Sequence, residues 1–324
     1  MRLVASLTLA AAGIFASGPA LSNDASWPSR PITLVVPLGA GSPTDVMART
    51  LAGELQQRLG QTVVVDNKPG GGSLIATSIV ARAKPDGYTF LFAVSAHTIN
   101  PAVRRQVNYD PLKDFTPVGL VGAVPHVLVV RKDLPVDNLR DLVALAKSKS
   151  DKLSYGSAGI GISNHLEGEL FSNQIATELV HVPYKGGSSE ARQDLLAGRI
   201  DMLFDVVGNS VPFIKDGRLK AIGVAQAKRT KLAPDLPTLA ESGLPQFDVM
   251  PWTGVFGPAN VDPAVVDKFS RALLDSLKDD KIVDRLATLG IEAIGYGPKE
   301  FREFVIRDVK TWKDVASRAK IELD

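Results

Sequence analysis

Ile32-Thr33-Leu34-Val35-Val36-Pro37-Leu38-Gly39-Ala40-Gly41-Ser42-Pro43-Thr44-Asp45 decides how this chain is read. Its first five residues form an apolar, β-branched run without polar alternation, the mark of a strand buried on both faces. A glycine turn follows. Ser42, Pro43 and Asp45 then stand at the N-cap, first and third positions of a helix start. Met47, Leu51, Leu55 and Leu59 recur every four residues, and Gly60 predicts the helix end. Thr62 to Val65 reads as the next strand. Strand, glycine loop, helix and strand make a βαβ unit, so the sheet is at least partly parallel.

Outward from this unit, Asp66 to Gly72 is a turn-rich loop before a helix through Ile75 to Ala83. Tyr88 to Val94 is a third buried strand, closing at Ser95-Ala96-His97. Val118 to Val121 and Val127 to Val130 are two apolar strands with no long helix between them, which reads as a crossing into a second lobe. There Leu139 to Lys147 is a helix, and Leu153-Ser154-Tyr155 is a strand running into Gly156-Ser157-Ala158-Gly159-Ile160-Gly161. The next helix begins near Ser163 or Asn164, where Asn164 and Glu167 have capping-box spacing. The strand, glycine loop and helix of the opening thus recur. Leu179 to Val182, Ile200 to Phe204 and Leu219 to Ala225 are further strands, with a helix at Ala191 to Ala197. The chain returns to the first lobe around Met250-Pro251-Trp252, and its tail reads as helices over Phe269 to Leu277, Ile282 to Leu289 and Pro298 to Ala319. The expected fold class is α/β with two Rossmann-like lobes. Lobe 1 takes residues 23-124 and 251-324, and lobe 2 takes 125-250.

Residues 1-22 read as a signal peptide: Arg2 is the positive start, Leu3 to Ala16 the apolar run, and Ala20 and Ser22 small residues placed for cleavage. That run is too short for a transmembrane helix, so the mature chain is expected to be exported and not inserted in the membrane. The 324 residues carry 37 basic and 35 acidic side chains, a formal charge of +2. So even a balance gives no reason to expect nucleic acid as a partner. The absence of cysteine removes disulfides, thiolate metal sites and a cysteine nucleophile.

No nucleophile elbow, zincin motif or Walker loop is present. His97, His126, His165 and His181 are scattered without metal spacing, and only His97 is expected in a loop facing a cleft. No catalytic residue, metal or cofactor is assigned. The two glycine loops are the stronger signal. Each follows a strand and opens a helix, so backbone N–H groups and the positive end of the helix dipole converge on one point. Such a pair, one from each lobe, suits a small ligand with one or more carboxylates. A dinucleotide pyrophosphate is the rival occupant. Gly39 to Thr44 comes near the dinucleotide fingerprint, and Asp66 closes the second strand where that fingerprint expects an acid. The signal peptide, the second glycine loop and the lack of a proton donor pair weigh against an NAD(P)-dependent oxidoreductase. Asp45 is expected to cap its own helix. Asp205, at the C-terminal end of a strand, is a candidate to face the ligand.

Arg30-Pro31-Ile32-Thr33-Leu34-Val35-Val36-Pro37, with Gly41-Ser42-Pro43-Thr44-Asp45 and Ala48-Arg49, resembles the opening of the Bug-type receptors of tripartite tricarboxylate transporters. Asp66-Asn67-Lys68-Pro69-Gly70, Pro85-Asp86-Gly87-Tyr88-Thr89, Tyr109 to Phe115, Tyr155-Gly156-Ser157 and His181-Val182-Pro183-Tyr184-Lys185-Gly186 are similar too. The resemblance runs from about Trp27 to Trp312. It implies a type II periplasmic-binding-protein architecture with cleft and hinge, and a small carboxylate ligand: a dicarboxylate, tricarboxylate, acidic amino acid or aromatic acid. It implies a periplasmic receptor serving large and small membrane transporter subunits; output to a membrane sensor kinase is the alternative. The chain is expected to be a monomer. By the same resemblance Leu38, Gly39, Ala40, Gly41 and Ser42 hold a carboxylate, Ser157, Gly159, Gly161 and Ser163 close over it, Asp205 helps discriminate ligands, and Ser95 lines the cleft. Leu38-Gly39-Ala40-Gly41-Ser42 departs from the family's usual Phe-Ala-Ala-Gly-Gly, and Ile162 is apolar where a small polar residue is common.

Overall fold

The computed structural model describes residues 27–148, 152–184 and 187–323. The expected signal peptide and Lys185-Gly186 lie outside the described residues.

Two sheets carry the molecule. The six-stranded sheet is built from β1 (Ile32–Val36), β2 (Val63–Asn67), β3 (Thr89–Val94), β4 (Phe115–Ala123), β10 (Trp252–Pro258) and β11 (Glu292–Tyr296), in the order β11-β4-β10-β3-β1-β2. The five-stranded sheet holds β5 (His126–Arg131), β6 (Ser154–Ser157), β7 (Val180–Pro183), β8 (Met202–Val206) and β9 (Leu219–Val224), in the order β7-β6-β8-β5-β9. The two share a plan. β1 lies between parallel neighbours β2 and β3, and β6 lies between parallel neighbours β7 and β8. From the C-terminal end of each middle strand a glycine turn leads into a helix, α1 (Pro43–Leu59) or α5 (Ser163–Gln174). Ligands of open α/β sheets bind at such strand ends.

The remaining helices are α2 (Leu74–Ala81), α3 (Ala96–Val103), α4 (Leu139–Ser148), α6 (Ser188–Leu196), α7 (Val207–Lys215), α8 (Pro263–Ser276), α9 (Asp280–Thr288) and α10 (Pro298–Ala319). Three elements differ from the sequence reading. α3 and α7 contain Pro101 and Pro212, which argue against helix in an isolated segment. β11 is only half-buried and takes its place through antiparallel pairing with β4, a long-range contact.

The chain passes from the first sheet to the second between Ala123 and His126 and returns between Val224 and Trp252. The outgoing and returning segments lie side by side, the Val124 amide donating to the Pro251 carbonyl at 2.7 Å, and the Ser95 amide at the end of β3 donates to the Trp252 carbonyl at 3.1 Å. Packing crosses the sheet boundary. Ile99 and Val103 of α3 and Trp312, Val315 and Ala316 of α10 share one buried cluster with Tyr155, Phe171 and Phe204 of the second lobe. The first sheet has its own clusters on its two faces, one around Leu51, Phe90 and Phe269, the other around Trp252, Phe256 and Phe301.

Candidate ligand-binding cleft

A cavity of about 520 Å³ lies where the two sheets meet. Leu38, Pro43, Thr44 and Met47 face it from the first glycine turn and α1, and Ile160, Gly161, Ile162 and Ser163 from the second turn and α5. Gly70, Gly72 and Ser73 before α2, then Ser95, Ile99, Asn100 and Arg104 on or beside α3, add to the first-lobe wall. His126, Val206 and Asn209 belong to the second lobe, and Pro251, Trp252 and Thr253 to the returning segment.

The two helix starts differ in what answers their backbone amides. At α1 Ser42 is the N-cap and its Oγ accepts from the Asp45 amide at 3.2 Å. Asp45 reaches back to accept from the Gly41 amide at 2.8 Å, and also receives Arg49 Nε and Asn67 Nδ2. Burial works to raise the pKa of Asp45, but the bonds from Arg49, Gly41 and Asn67 hold it below the ordinary carboxylate value. Its charge serves its own helix and turn, the expected local use. At α5 the N-cap is Ile162, in extended backbone with no side-chain acceptor. The capping box expected from Asn164 and Glu167 does not form. Asn164 Oδ1 accepts from the Ala158 amide at 3.1 Å, and Glu167 turns inward to His126. Among the described residues nothing accepts from the Ser163 and Asn164 amides, so this helix start keeps open donors beside the cavity.

Of the residues singled out in the sequence, Leu38, Ser95, Gly161 and Ser163 line the cavity. Gly39, Ala40, Gly41 and Ser42 form the turn behind Leu38, with the Ser42 amide donating to the Gly39 carbonyl at 3.2 Å. Ser95 Oγ accepts from the Trp252 amide at 2.7 Å, so it positions the Trp252 backbone. The Trp252 indole donates to Asp308 of α10 at 2.8 Å, and burial pushes that carboxyl up to about 6. Ser157 and Gly159 shape the second turn from behind: Ser157 Oγ donates to the Gly159 carbonyl at 3.0 Å and lies 2.6 Å from His181 Nε2. The Gly161 amide donates to His165 Nδ1 at 3.1 Å. Burial depresses both imidazoles to about 4, so the turn rests on neutral rings. Asp205 is fully occupied within its lobe. It receives Arg192 at 2.7 Å, Ser210 Oγ at 2.8 Å and the Val206 amide at 2.9 Å, and it is not part of the cavity lining.

His97 is placed differently from expectation. It lies inside α3, not in a cleft-facing loop, stacked on Tyr109 and Phe256 and edge-on to Phe115. Burial there lowers its pKa to about 4. The histidine on the cavity wall is His126. It and Arg104, with Asn100, Asn209 and Thr253, are among the polar lining residues that the sequence did not mark. His126 opens a strand and has no neighbour in sequence that marks it. Arg104 follows a helix hidden by Pro101. Among the described residues no group of three or more His, Asp or Glu is placed to hold a metal. None of their helices is long and apolar enough to cross a membrane.

The family description "Tripartite tricarboxylate transporter family receptor" matches residues 47–321. Protein BugT of Bordetella pertussis is 33% identical over 320 residues, covering 97% of this chain and 98% of that one. A solved R. palustris structure with adipate is 35% identical with a TM-score of 0.77, covering 91% of this chain and 99% of that one. MatC from Rhodopseudomonas palustris, with bound malate, is 33% identical with a TM-score of 0.74, covering 89% and 99%. This chain belongs to the tripartite tricarboxylate transporter receptor family, a family of periplasmic solute-binding proteins.

Proposed function

We propose that this member of the receptor family is an exported periplasmic receptor. It captures a small carboxylate between its lobes and delivers it to the large and small membrane subunits of a tripartite transporter. The observation that carries the reading is that two glycine turns, more than a hundred residues apart in sequence, open onto one cavity. The uncapped start of α5 supplies amide donors and the positive end of a helix dipole without a cofactor. Leu38, Thr44, Ser95, Gly161 and Ser163 supply the surrounding wall. The relatives solved with adipate and malate support a carboxylate as the ligand class. The signal-like sequence at residues 1-22 supports export.

Capture follows from the architecture. Two lobes joined by paired crossing segments can close about a ligand that contacts both, and closure is favoured by as much as the ligand prefers that state. The test is thermal unfolding of the purified mature chain against malate, succinate, adipate, citrate, glutamate and benzoate. A cognate acid at a hundredfold excess over Kd adds about 2.7 kcal/mol of stability. No stabilisation by any of the panel defeats the reading. Delivery is tested by acid uptake in cells lacking the receptor gene, which the restored gene must rescue.

A further inference from the structure

His126 is the first residue of β5, immediately after the chain crosses between lobes, and its ring lines the cavity. Its Nδ1 meets Glu167 Oε2 at 2.8 Å. Glu167 is completely buried on α5, one helical turn beyond Ser163, and its other oxygen has no partner among the described residues. A carboxyl sealed in the protein needs a partner for its polar atoms, and His126 is the group placed to give one. With Nδ1 committed to Glu167, Nε2 is the nitrogen left for the cavity. Among the described residues it has no protein partner.

We propose that His126 is an anion-receiving contact in the cavity wall, donating through Nε2 to a carboxylate of the ligand, with Glu167 as the positioning residue that holds Nδ1 and turns Nε2 to the cavity. This deepens the receptor reading and rests on it. The ligand it specifies has an acidic group reaching the lobe crossing, beside α5. An arriving carboxylate adds a second negative neighbour to the ring, so the protonated form binds it more tightly than the neutral form.

The charged groups bearing on the ring are few. Burial works to lower its pKa, but Glu167 from α5, with Asp205 from β8 adding to it, raises it above the ordinary imidazole value. Arg192 from α6 offsets part of the Asp205 charge, and Arg104 beside α3 lines the same cavity. The sign follows. Affinity for the acid is greatest while the imidazole is protonated, and it falls as pH rises through a titration lying above the ordinary histidine range.

The experiment is a pH titration of the histidine ring signals by NMR, on the intact mature chain. It is run alone and with whichever of malate, succinate, adipate, citrate, glutamate or benzoate stabilises the protein most. His126 should titrate about one pH unit higher with the acid than without it, the equivalent of about tenfold tighter binding to the protonated form. Glu167→Gln should weaken binding about tenfold near pH 7 and recover part of it at lower pH, while His126→Gln should lose the pH dependence altogether. If an acid stabilises the protein but leaves the His126 titration unmoved, this inference is overturned and the receptor reading stands. If no acid stabilises it, both fall. The wild-type titration decides the matter even if a variant fails to fold.

Discussion

At the first glycine turn Ser42 and Asp45 answer the start of α1 from within, while at the second Ile162 leaves the start of α5 without a side-chain acceptor. Both turns follow the middle strand of a parallel trio and both border the cavity. The difference teaches that a strand, glycine loop and helix motif is not by itself an anion site. A helix dipole attracts an anion only where its first-turn amides are still to be satisfied. In this molecule side chains brace the first turn and, among the described residues, leave the Thr44 amide open, while the second leaves the amides of both Ser163 and Asn164 open.

Removing the brace is the largest way to break that comparison. Asp45→Ala leaves the Gly41 amide, Arg49 and Asn67 without their shared acceptor. It should cost about 3 kcal/mol of stability in chemical denaturation. An unchanged midpoint would show that the first turn is as independent of side-chain capping as the second. The next variant makes the second turn like the first. Ile162 already has the extended backbone of an N-cap, at φ −89° and ψ 160°. Ile162→Asp should place a carboxylate on the α5 amides and repel the ligand's own. Affinity measured by calorimetry should fall about fiftyfold, a little over 2 kcal/mol, while the folded state gains about 1 kcal/mol from the new cap. Undiminished binding would move the anion away from α5.

Two glycines sharpen the contrast further. Gly41 and Gly161 both have positive φ, at 82° and 79°. A Cβ on Gly41 meets open space, whereas one on Gly161 runs into Leu323. Gly41→Ala should cost about 1 kcal/mol for left-handed backbone alone, and Gly161→Ala about 2 kcal/mol, compared by denaturant midpoints at matched slopes. Ser42→Ala should have an effect no larger than Gly41→Ala, about 1 kcal/mol of lost capping, with ligand affinity nearly unchanged. A large loss of affinity from that substitution would restore the first turn as an anion seat.

Much of this was legible beforehand because it is local. The start of α1 is written in Ser42, Pro43 and Asp45, and its end in Gly60, which takes the left-handed conformation at φ 71°. Gly161 was marked by its glycine loop, and Leu38 and Ser163 by the family resemblance; all three line the cavity. Asp205 illustrates the opposite case. Its place at a strand end suggested a ligand contact, yet Arg192 and Ser210 reach it from α6 and α7. No sequence spacing encodes which way those helices pack. His97 and His126 exchange the places suggested by their local surroundings for the same reason. The aromatic side chains that enclose His97 come from Tyr109, Phe115 and Phe256, and only the folded sheet collects them.

By itself the sequence determined the first βαβ unit, its repeat around Tyr155 to Ser163, and most of the strands and helices between them. Hydrophobic period and helix capping act over a few residues, and such signals survive in a linear text. The tertiary structure alone decided which glycine turn keeps more of its amides open, which histidine reaches the cavity, and how β11 closes the sheet edge. Each of these depends on a partner far along the chain. Glu167 meets His126 across 41 residues, and the choice of that partner is made by packing.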